Sequence, residues 1–136
     1  MSIIVEKLPD EPIIVVTYAG ELNLEIVSAA FRQSAEIMDR LDGTVYRISD
    51  IRQGTSEFSD TMDIIHRIRH SRNVSGSTLD PRLKAVFVGS HVLAEMYADI
   101  LKQSEYGGKE IPFFNEMDDA LAYIRSDMIG SVAPSE

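Results

Sequence analysis

The chain has 136 residues, 44% hydrophobic and 26% charged, with no cysteine and a formal net charge of −9. That length fits one domain with one core, the composition excludes a disordered chain, and the missing thiols exclude a disulfide scaffold, a thiolate metal site and a cysteine nucleophile. No apolar run approaches the roughly 18 to 20 residues that cross a bilayer, and the start lacks the basic region of an export signal, so a cytoplasmic location is expected.

Ser2–Leu8 reads as a strand rich in Ile and Val. Pro9-Asp10-Glu11-Pro12 is a turn, because proline fixes φ and removes a ladder donor. Ile13–Tyr18 is a second strand, β-branched up to its last residue. So short a connection joins antiparallel neighbours, and the chain opens with a hairpin. Gly20 breaks the run. Asn23 is a good N-cap for a helix over Leu24–Leu41, with Glu25 well placed against the helix dipole. Its apolar positions Ile26, Val27, Ala30, Phe31, Ile37, Met38 and Leu41 keep one helical stripe. Asp42-Gly43 ends it, Thr44–Ser49 follows as a strand, and Asp50 stands at its carboxyl end.

Ile51–Thr55 reads as a loop into a helix over Ser56–Ser71. Phe58, Thr61, Met62, Ile65 and Ile68 make its inward face; Asp63, His66, Arg67 and His70 fall on the other side. Asn73–Asp80 is a loop. Leu83–Val88 is a near-continuous apolar strand, as a buried parallel position requires. Gly89-Ser90 opens a helix to Tyr106, stopped by Gly107-Gly108. Ile111–Phe114 is a short strand whose two phenylalanines point to opposite faces. Asn115 caps the last helix, with Met117, Ala120, Leu121, Ile124 and Met128 inward. The expected class is α/β: one mixed, mainly parallel five-stranded sheet with an opening β-hairpin and four helices. A single domain spans residues 1–128, and 129–136 is a flexible tail.

This pattern resembles the STAS-like family of small domains, which includes bacterial anti-sigma-factor antagonists and sporulation stage II protein AA-like proteins. The resemblance covers residues 2–127. It rests on Tyr18-Ala19-Gly20-Glu21-Leu22-Asn23 leading from strand to helix, and on Val45–Asp50 ending in an acidic residue. Lys84-Ala85-Val86-Phe87-Val88-Gly89 and the closing stretch from Pro112 to Ile124 add to it. Family antagonists carry Asp-Ser-Ser-Gly-Leu after the third strand, where a serine is phosphorylated. Here the stretch is Glu57-Phe58-Ser59-Asp60-Thr61-Met62: Ser59 is the nearest match, and the second serine and the Gly-Leu are missing. The resemblance thus implies a divergent member, a non-enzymatic regulatory role, and Ser59 as the phospho-acceptor.

Charge is uneven along the chain. Residues 47–84 hold seven basic and five acidic side chains, while both flanking segments are strongly acidic. An acidic surface disfavours nucleic acid and anionic membrane as partners. Arg67, Arg69 and Arg72 crowd one segment, either as a solvated helix face or as the contact site for an acidic partner. Ligands of open α/β sheets gather at the carboxyl ends of parallel strands, and Asp50, Arg52, Ser90, His91 and Asn115 belong there. They either line a small polar site or serve only as caps and turn formers.

His66 and His70, four apart, have metal-ligand spacing beside Asp63 but too few further ligands, so no metal is expected. The glycine-rich and nucleophile-elbow motifs are absent; no catalytic residue and no cofactor is assigned. The favoured function is a regulatory module working through protein contacts, with Ser56–Arg72 as its contact face. A homodimer through outward residues such as Ile4 or Ile14 is expected if helices cover one face of the sheet only. The alternative is a domain for a lipid or an anionic metabolite, with an apolar cavity between sheet and helices and Asp50, Arg52, Ser90 and Asn115 at its mouth.

Overall fold

The computed structural model describes residues 2–55, 57–71, 73–89 and 111–131. Strand β1 (Ser2–Lys7) and strand β2 (Ile13–Glu21) form the expected antiparallel hairpin, in register from Ser2↔Ala19 to Lys7↔Ile14. Asp10 turns the corner at φ 61, a left-handed conformation that aspartate tolerates better than most residues. Helix α1 (Leu24–Met38) starts where Asn23 Oδ1 accepts the Ile26 amide at 3.0 Å. It stops three residues short of Leu41, because the amides of Arg40 and Leu41 turn back to Ile37 and Met38 in tighter bonds.

Strand β3 (Val45–Thr55) is the longest element of the sheet. It absorbs Ile51–Thr55, expected to be a loop, so Asp50 lies within the strand. The reason is backbone pairing that side-chain pattern does not register. Ala19, Gly20 and Glu21 of β2 align with Gln53, Gly54 and Thr55 beyond an irregularity at Thr17/Ala19. The same pairing carries β2 past Tyr18 and through Gly20 to Glu21.

Helix α2 (Phe58–Arg69) follows, then strand β4 (Leu83–Val88), strand β5 (Phe113–Phe114) and helix α3 (Met117–Ser131). The sheet order is β1-β2-β3-β4-β5, parallel at every pairing after the hairpin. The class and strand count agree with expectation, but the helix count needs correction. Three helices stand among the described residues, not four, since the expected helix over Ser90–Tyr106 lies outside them. Helix α3 also runs through Gly130, past the expected start of a tail.

Strand alternation separates two cores. On one face Ile14, Val16 and Tyr18 of β2, with Val45, Ile51 and Phe87, pack under Val27, Phe31, Ile64, Ile65 and Ile68 of α1 and α2. On the other, Ile13, Val15, Tyr46, Ile48, Val86 and Val88 pack under Ala120 and Ile124 of α3. Phe114 joins the α3 side against Tyr123, ring centroids 5.5 Å apart. Helices therefore cover both faces. Ile14, expected to point outward, is fully buried, because odd and even residues of a strand face opposite helix layers; Ile4 is 57% exposed.

Candidate functional site

Helix α2 rises from the β3 end of the sheet. Its first residue follows Glu57, whose extended backbone makes it the N-cap, without a side-chain capping bond. Ser59 is exposed in the first turn beside Asp60. Thr61, a neighbouring hydroxyl, is buried and donates to the Glu57 carbonyl at 3.0 Å, while Ser56 lies outside the described residues. At 100° per residue, Ser59, Asp63, His66 and His70 form one outer stripe with Arg67 and Arg69 on its flanks. All six are exposed. The face is polarised: acidic residues stand at the helix start, and His66, Arg67 and Arg69 in the last turn complement the dipole. Arg72 lies outside the described residues. The inner face differs from expectation at two places, since Ile64 is buried and Met62 is 41% exposed.

The His66 and His70 rings meet edge-on, with centroids 4.6 Å apart. Among the described residues no group of three or more His, Asp or Glu could hold a metal ion.

The residues expected at the strand ends come together only in part. Asp50, on the α3 face of the sheet, accepts both Arg52 Nε (3.0 Å) and Arg52 Nη2 (2.8 Å), and also the Arg52 amide (3.1 Å). This fork, with some help from Glu116, holds the Arg52 guanidinium above its ordinary pKa. The pair closes on itself instead of presenting an open site. Asn115 is exposed before α3; Ser90 and His91 lie outside the described residues.

A different constellation sits between the sheet and helices α1 and α2. A cavity of about 40 Å³ is walled by Leu22, Val27, Phe31, Ile64, Ile68 and Phe87, with Tyr18, Arg47, Ser49 and Thr78 as its polar lining. Arg47 is 2% exposed. Its guanidinium lies 5.2 Å from the Phe31 ring centre. Nη1 donates to Ser34 Oγ at 3.3 Å and to the Gly76 carbonyl, and Nη2 donates to Thr78 Oγ1 at 3.1 Å. Burial pulls the Arg47 pKa down and pushes that of Tyr18 up, since each charged form is poorly solvated there.

The loop beneath is held by Asp80. Its carboxylate accepts the Gly76 amide (2.9 Å), the Arg82 amide (2.9 Å) and the Arg82 side chain. Arg82 reaches on to Asp39 and Ser75. Sequence reasoning counted Arg47 only as one more basic residue. The available signal was its place: Val45, Arg47, Ser49 and Ile51 share one face of an otherwise apolar strand.

No protein-family model and no curated protein matches this chain. Solved structures do resemble it. One is an uncharacterized protein of the DUF3478 family with a SpoIIAA-like fold from Shewanella loihica PV-4. It aligns at TM-score 0.58 and 16% identity, over 90% of this chain and 91% of that one. Another is the anti-sigma factor antagonist SpoIIAA in its unphosphorylated form, at TM-score 0.55 and 15% identity, over 92% and 97% of the two chains. The likeness is one of fold, and it agrees with the fold that the STAS-like resemblance implies. No helix among the described residues is long and apolar enough to cross a membrane.

Proposed function

We propose that this chain is a non-enzymatic regulatory module that binds a protein partner through the outer face of α2, with Ser59 as its phospho-acceptor. The carrying observation is the position of Ser59: an exposed hydroxyl in the first turn of the helix that follows β3. The fold is shared with an anti-sigma factor antagonist described in its unphosphorylated form, and that likeness supports the reading. A phosphate on Ser59 adds a charge of about −1.5 to −2. The helix dipole favours it there, while Asp60 and Glu57 oppose it, so the modification sharply raises the negative potential at one end of the face. Arg67 and Arg69 at the other end attract acidic groups of the partner. A cytoplasmic location goes with this reading.

The test is affinity capture from the protein's own cells, quantified by mass spectrometry. The wild-type chain is compared with Ser59→Ala, Ser59→Asp and Arg69→Glu. A partner retained by the wild type and Ser59→Ala but lost from Ser59→Asp and Arg69→Glu supports the face. Equal retention by all four rejects it. Sedimentation of the same proteins reports whether the partner is a second copy of this chain.

A further inference from the structure

The cavity over Arg47 combines three unusual features. First, a guanidinium is almost wholly buried, and no carboxylate among the described residues pairs with it directly; Asp80, the acidic group whose charge acts on it, is committed to Arg82 and the Gly76 amide. Removing a cation from water without an anion is costly. Second, its hydrogen bonding is incomplete among the described residues. Three donations go to Ser34, Gly76 and Thr78, which leaves the Nε–H and one Nη2 N–H without an acceptor among the described residues. Third, the hydroxyls of Tyr18 and Ser49, each 6% exposed, border the same space and also have no partner among the described residues. Buried polar groups are ordinarily satisfied, so unused donors converging on one cavity mark a place for an acceptor.

We propose that this cavity is a binding site for a short-chain monocarboxylate. Its carboxylate accepts from Arg47, Tyr18 and Ser49, and its alkyl end rests between Leu22, Val27 and Ile64.

Charge, volume and lining each narrow the occupant. One guanidinium balances one negative charge, which disfavours a phosphate dianion in so buried a place. A single water needs roughly 10 to 15 Å³ of such space, so about 40 Å³ suits a ligand of a few heavy atoms, on the scale of acetate. Apart from its four polar residues the wall is apolar, which favours a methyl or ethyl end over a second polar one. The site shares no residue with the outer face of α2 and stands or falls separately from that surface.

The experiment titrates the full chain with sodium formate, acetate, propionate and pentanoate at constant ionic strength, against a sodium chloride control. Backbone amide chemical shifts are the readout. The expected result is saturable change at the cavity residues, strongest for acetate or propionate and weaker for pentanoate. Tyr18→Phe keeps the ring and removes one donor, so it should weaken acetate by about tenfold; Ser49→Ala should weaken it similarly. Arg47→Met should abolish binding, and the two milder variants keep the test valid if that chain does not fold. The proposal is overturned if no carboxylate saturates the shifts, if chloride reproduces them, if pentanoate binds as tightly as acetate, or if Tyr18→Phe and Ser49→Ala bind like the wild type.

Discussion

The Phe31 carbonyl oxygen of α1 stands 2.2 Å from where a Cβ on Gly76 would lie. Helix and loop therefore touch backbone to backbone, and nothing on either side is a flexible side-chain end that could yield. Gly76 also has φ +80, and its amide and carbonyl are both bonded, to Asp80 and Arg47. Gly76→Ala should lower stability by about 3 kcal/mol or more, combining overpacking with left-handed strain. Gly43, also at φ +80 but with nothing within 4 Å, isolates the strain alone, and Gly43→Ala should cost only about 1 kcal/mol. Urea midpoints of the two variants check the difference. Equal losses would refute the close approach.

Asp80 supplies a pH dependence with a definite sign. Burial pushes its pKa up, but the Arg82 side chain and the Gly76 and Arg82 amides outweigh that and hold it below its ordinary value. The folded state thus binds the proton less readily than the unfolded chain, whose aspartates titrate near about 3.9. The resulting stability is fully present above that pH and is lost as pH falls through the lower folded-state value. Asp127, held down by Tyr46 and Lys84, acts in the same sense. Asp80→Asn should be less stable than wild type at neutral pH. The gap between their urea midpoints should narrow on acidification below about pH 4; a gap that is constant with pH contradicts the assignment.

Helix α2 offers a test of its own orientation. Ile64 is 2% exposed and Met62 is 41% exposed, the reverse of what a simple inward stripe through Met62 expects. Ile64→Ala should cost about 2 to 5 kcal/mol, as truncation of a fully packed aliphatic side chain does. Met62→Ala should stay within about 0.5 kcal/mol. Chemical denaturation of both variants distinguishes the faces, and a larger loss at Met62 would show the helix rotated.

What the sequence determined by itself was the order of the described elements and most of their inner faces. The β-branched run Ile13–Thr17, the Asn23 cap and the apolar run Val86–Val88 are local signals, because propensity, capping and alternation act within a few residues. The fold class and the outer, charged side of α2 followed from the same periods. Tertiary structure alone decided the rest. The extension of β2 and β3 depends on backbone pairing between Ala19–Glu21 and Gln53–Thr55, residues far apart in the chain. The burial of Ile14 depends on helices reaching both faces of the sheet. Arg47 became more than a charge only when Phe31, Ser34, Gly76 and Thr78 closed around it. An isolated arginine is solvated wherever water reaches it, and only long-range packing removes that water and makes the donors without an acceptor among the described residues significant.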